Sequence, residues 1–137
     1  MAAGKPSARR EEQPVELGVG TGDDVVVRTA EVGRVVAAVV GVLDRVSADR
    51  IADRAVGLLK PGEGVLVLDL SGVTFCDSSG LSAMLLVWRR AREIGARLAF
   101  VEMPSQLSRR FQVTGLQEVL GCYPTAGDAL AAHDPAR

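Results

Sequence analysis

The chain has 137 residues, of which 47% are hydrophobic and 24% charged, and its formal net charge is -1. That length suits one compact domain and is too short for two ordinary ones, and the composition excludes a chain too polar to build a core. The near-neutral balance excludes a strong electrostatic pull toward nucleic acid or an anionic membrane.

Residues 1–23 are polar, charged or glycine-rich without sustained periodicity, which predicts a flexible N-terminal extension ahead of a domain over 24–133 and a C-terminal tail at 134–137. The glycines of Gly18-Val19-Gly20-Thr21-Gly22 lack the preceding strand, following helix and Lys-Ser/Thr of a phosphate loop, so a connection is expected there. Val25-Val26-Val27-Arg28 and Arg34 to Val40 are apolar runs separated by a segment ending in Gly33, the pattern of an antiparallel strand pair. Val35 to Leu43 is the longest apolar run, about half of the roughly 20 residues a membrane-spanning helix needs.

From Ser47 the pattern turns helical: Ile51, Ala55, Leu58 and Leu59 share one face, and Pro61-Gly62 stops the helix. Val65 to Leu70 predicts a buried strand, followed by a turn at Ser71-Gly72 and then Val73-Thr74-Phe75-Cys76. Next come Asp77-Ser78-Ser79-Gly80 and a second helix whose Leu81, Met84, Leu85 and Trp88 recur at helical spacing, with Gly95 as a left-handed cap. The tetrapeptide is therefore a strand-to-helix elbow, and Asp77, Ser78 and Ser79 are all residue types that cap free amides.

Arg97 to Met103 predicts the last clear strand, and Pro104-Ser105 opens a helix that sends Leu107 and Phe111 to the core and stops at Gly115. Leu116, Val119 and Leu120 form a further apolar patch, and Thr125-Ala126-Gly127-Asp128 gives a partial capping box before a short terminal helix. Strands alternating with helices after a hairpin predict an α/β domain with parallel neighbours.

The inventory of reactive groups is small. Cys76 and Cys122 are too few for a disulfide framework and are expected to be reduced packing residues, and nothing in the pattern gives either a redox role. His133, the only histidine, lies near the C-terminus, so neither a metal site nor a serine–histidine pair is expected, and no cofactor motif occurs. With no base beside its hydroxyls, the elbow makes better physical sense as a substrate of another protein's catalysis, because the end of a strand presents a hydroxyl on a firm platform. The absence of an apolar leader region in Met1-Ala2-Ala3-Gly4-Lys5 gives a cytoplasmic expectation.

The stretch from Leu66 to Glu102, LVLDLSGVTFCDSSGLSAMLLVWRRAREIGARLAFVE, with FQVTGLQEVL further on, resembles the sulphate-transporter and anti-sigma-factor-antagonist (STAS) family over about residues 24–133. The resemblance implies a small mixed β-sheet packed by about four α-helices. It also implies an anti-sigma factor antagonist whose partners are an anti-sigma factor serine kinase and a phosphatase acting on phosphoserine, with no cofactor and no direct contact to nucleic acid or membrane. Ser78, directly after the aspartate, matches the phosphorylated serine of such members, and Ser79 ranks second. Asp44, Asp77, Ser78, Ser79 and Gly80 are the implied partner-binding residues. Gly41-Val42-Leu43-Asp44 stands where the family usually has Gly-Glu-Leu-Asp, so Val42 departs from the pattern and Asp44 keeps it. The alternatives are a non-catalytic STAS adaptor in a larger assembly and a nucleotide-binding module, the latter without any phosphate cradle in this sequence.

Overall fold

The computed structural model describes residues 24–62, 64–115 and 120–133. The expected extension at 1–23, the tail at 134–137, and Leu116 and Val119 lie outside the described residues.

Among the described residues, five strands form one sheet in the order β1 (Asp24–Glu31), β2 (Arg34–Leu43), β3 (Val65–Cys76), β4 (Arg97–Val101) and β5 (Cys122–Tyr123). β1 and β2 are the expected antiparallel hairpin, turned at Gly33 with φ 79°, and the remaining neighbours are parallel. The helices among the described residues are α1 (Ala48–Gly57), α2 (Ser78–Ile94), α3 (Ser105–Thr114) and α4 (Ala126–Ala132). The mixed sheet with four helices matches the architecture expected from the sequence.

Alternation along the strands sorts the core into two layers. Val39, Leu66, Leu68, Leu70, Leu98 and Phe100 face a cluster completed by Ile51 of α1, Met84 and Val87 of α2 and Phe111 of α3. Val65, Val67, Ala99 and Val101 point the other way, toward Ala129 and Leu130 of α4. β3 is buried on both faces because helices cover both, which is why it reads as a continuous apolar run.

The expected turn at Ser71-Gly72 is not a chain reversal. β3 continues through it to Cys76, and the extra residues are taken up as register shifts against β2 between Ala38 and Val40 and between Gly41 and Val42. The turn-forming residues act locally: the Asp69 carboxylate accepts a bond from the Ser71 amide at 2.9 Å, and a Cβ at Gly72 would lie 3.2 Å from the Val39 carbonyl oxygen. They make an irregularity of the bulge kind within a continuous strand.

Other boundaries move for identifiable reasons. β4 stops at Val101 rather than Met103 because Glu102 takes φ 56° and donates its amide to the Pro124 carbonyl at 3.2 Å. α1 ends at Gly57, ahead of Pro61, which instead bridges to Ala96. The deepest face of α2 is Gly80, Ala83, Met84, Val87 and Ala91, whereas Leu81, Leu85 and Trp88 pack half-buried along its flanks. Small residues at the centre of that face let the helix approach the sheet, and Trp88 is left with one side open to the guanidinium of Arg92, 5.1 Å from the ring centre.

Candidate functional site: the elbow after β3

β2 and β3 end side by side, with Leu43 paired to Cys76. One residue later the Asp77 amide donates to the Leu43 carbonyl at 3.1 Å, which ties the elbow to the end of the neighbouring strand. Asp77 is extended, with φ -103° and ψ -167°, and its Oδ1 accepts from the amides of Ser79 at 2.8 Å and Gly80 at 3.2 Å. It is the N-cap of α2, as its residue type predicts, and its negative charge lies at the positive end of the helix dipole.

Gly80 has a reason that spacing alone did not show. A Cβ there would lie 2.5 Å from the Cys76 sulfur, 2.7 Å from the Leu43 carbonyl oxygen and 2.8 Å from the Leu43 Cβ. The first turn of α2 is thus pressed against the ends of both strands, and no side chain fits between them. Fixed by this contact and by the Asp77 cap, α2 leaves Ser78 exposed at its tip and Ser79 half-buried.

Burial pushes the Cys76 thiol up to about 11, with Arg110 opposing the shift and Asp77 adding to it, so the sulfur beneath the elbow stays protonated at neutral pH. Burial likewise raises Cys122 to about 11. Neither has the thiolate character that cysteine chemistry requires. His133 caps α4, which covers the opposite face of the sheet, and its ring meets Tyr123 edge-on at 5.9 Å. Burial and then Arg97 lower its pKa. The structure therefore does not bring the histidine to the serine, and among the described residues no group of three or more His, Cys, Asp and Glu could hold a metal.

Asp44 stands next to the elbow through Leu43, but its carboxylate has a local task. Oδ1 accepts from the amides of Val46 at 3.0 Å and Ser47 at 3.2 Å, forming the turn into α1. Sequence reasoning gave no weight to Ser47, the one buried polar residue among those described. Its hydroxyl donates to the Val42 carbonyl and accepts from the Asp44 amide at 3.2 Å. Val42 is half-buried and its carbonyl holds this turn.

α1 and α2 run side by side, and a groove of ≈ 400 Å³ between them opens beside the elbow. Arg45, Asp49, Ser78, Ser79, Ser82 and Arg89 contribute to its lining. Arg89 belongs to the basic run Arg89-Arg90-Ala91-Arg92, which reads from sequence as a solvated helix face, whereas Arg45 was invisible to pattern reasoning, because the groove exists only once two helices separated by β3 become neighbours.

A mixed five-stranded sheet whose central strand runs into an Asp-capped helix, with a serine at the helix tip, defines a STAS domain. Residues 26–121 match the family model described as "Mlab, STAS domain", and the chain belongs to that family. It is 27% identical over 100 residues to BtrV of Bordetella bronchiseptica, named as an anti-sigma factor antagonist, covering 73% of this chain and 84% of that one. It is 26% identical over 83 residues to the anti-sigma-B factor antagonist of Listeria monocytogenes, covering 60% and 72%. The crystal structure of an anti-sigma factor antagonist from Mycobacterium paratuberculosis is similar with a TM-score of 0.66 and 28% identity, over 79% of this chain and 91% of that one. Among the described residues, no helix is long and apolar enough to cross a membrane.

Proposed function

We propose that this chain is a cytoplasmic, non-catalytic anti-sigma factor antagonist, switched at Ser78. Its unmodified form binds an anti-sigma factor of the serine-kinase type and so releases a sigma factor, and phosphorylation of Ser78 by that kinase ends the association. In that step the Ser78 oxygen bonds to the γ-phosphorus of ATP, the bond to the β,γ-bridging oxygen breaks, ADP leaves, and the hydroxyl proton passes to the kinase. A phosphatase hydrolyses the phosphoserine and restores the binding form.

The observation that carries this reading is the exposure of Ser78 on a platform fixed by Asp77 and Gly80, while Ser79 is half-buried. The names of the relatives support the class of partner. Asp77, Ser78, Ser79 and Gly80, with Asp44 on the adjoining turn, are assigned to the partner-binding surface. Incubation with the cognate kinase and ATP followed by peptide mapping tests the acceptor: phosphate on Ser78 is expected, and phosphate confined to Ser79 or to Ser7 overturns the assignment.

A further inference from the structure

The elbow as it stands is poorly equipped to neutralise a phosphate. Two amides at the start of α2, those of Ser79 and Gly80, already bond to the Asp77 carboxylate. Asp44 and Asp49 add two further carboxylates on the adjoining turn and on α1, and Asp49 lines the groove. Phosphoserine would bring about -1.5 to -2 charges into this company.

The groove beside the elbow supplies a cation. Arg45 sits in the turn between β2 and α1, two residues after Leu43, whose carbonyl is bonded to the Asp77 amide. It is exposed, it lines the same groove as Ser78 and Ser79, and among the described residues it has no ion pair. Arg89 lines the groove too, but it lies eleven residues along α2 from Ser78, roughly 16 Å at 1.5 Å per residue. Arg110 of α3 acts on the Cys76 thiol beneath the elbow, and that same helix carries Arg109 on the α2–α3 side.

We propose that Arg45 is the counter-ion of phosphorylated Ser78, its guanidinium turning across the mouth of the α1–α2 groove to hold the phosphoryl group. This rests on Ser78 as the acceptor. Its consequence is that modification alters two elements of the surface together: the helix tip gains a dianion and the turn before α1 gives up an exposed cation. Guanidinium is suited to the task because its planar fork donates two parallel bonds to phosphate oxygens.

The test needs no partner protein. Phosphoserine is placed at position 78 of the full chain during translation, and its second ionisation is followed by phosphorus-31 NMR against pH. Removing a nearby cation favours the monoanion, so Arg45→Gln is expected to raise that pKa by about half a unit relative to the parent. Arg45→Lys is expected to restore part of the difference, and Arg89→Gln and Arg110→Gln are expected to move it far less. An unchanged value in Arg45→Gln, or a larger rise in either of the other glutamine variants, overturns the assignment. Because the phosphoserine is installed translationally, this outcome is independent of whether the kinase chooses Ser78, and the peptide mapping reports on that separately.

Discussion

Two neighbouring helix starts, those of α1 and α2, use the same chemistry for opposite purposes. Before α1, Asp44 ties down the amides of Val46 and Ser47, and the Ser47 hydroxyl is buried and bonded to the Val42 carbonyl. Before α2, Asp77 ties down the amides of Ser79 and Gly80, and the hydroxyl of Ser78 is left at the surface. An aspartate with a nearby serine thus marks a rigid turn in both places, and only burial tells which serine another protein can reach. The difference comes from the contact at Gly80, which seats α2 against two strand ends and leaves its first residue outside.

The largest way to break the contrast is to unseat α2. In Gly80→Ala the new methyl would meet the Leu43 backbone oxygen at 2.7 Å as well as the Cys76 sulfur, and a backbone atom cannot swing aside. Overpacking of this kind costs about 1–3 kcal/mol or more, so a fall of that size in unfolding free energy is expected from denaturant titration. An unchanged midpoint would mean that the elbow is not held by this contact.

Next comes the buried serine. Ser47→Ala leaves the Val42 carbonyl and the Asp44 amide without their partner, and is expected to destabilise the fold by about 1–3 kcal/mol. Asp77→Ala should cost less, about 1 kcal/mol, the usual loss for a helix cap, since the Asp77 side chain is half-buried where Ser47 is fully buried. Thermal unfolding of the two variants side by side checks the order. A reversed order would place the weight of this end of the molecule on the elbow rather than on the turn before α1.

Much of this end was legible in the sequence, and the illegible parts share a cause. Asp77 could be recognised as a cap because capping depends on residues within one helical turn, and the apolar periods on either side located the elbow. The turn made by Asp44 is local in the same way, its carboxylate bonding amides two and three residues further on. Ser47, by contrast, is buried by its bond to a carbonyl five residues earlier, on a different element. Gly80 is required by Leu43, and Arg45 shares a groove with α2 only because β3 carries the chain between them. β5 escaped notice because Cys122 and Tyr123 are too few to show a period, and their pairing depends on the exposed edge of β4. The turn at Ser71-Gly72 was misjudged because the same residue types make a reversal or a bulge, and the partner strand decides which.

The smallest effect on stability is expected to accompany the largest effect on function. Ser78 is exposed, and its truncation creates no cavity, so Ser78→Ala should change unfolding free energy by less than about 0.5 kcal/mol. The same variant should resist the kinase and keep its affinity for the anti-sigma factor. Ser78→Asp should weaken that affinity, but only in part, because an aspartate carries less charge and bulk than phosphoserine. The decisive measurement is calorimetry of the phosphorylated and unmodified proteins against one anti-sigma factor in one nucleotide state. Each ~1.4 kcal/mol of repulsion or lost contact weakens association about tenfold, so a dianion set into a surface that fitted a hydroxyl is enough for a switch without refolding. Equal affinities would remove the switch and leave the adaptor reading, since a surface indifferent to the modification cannot be regulated by it.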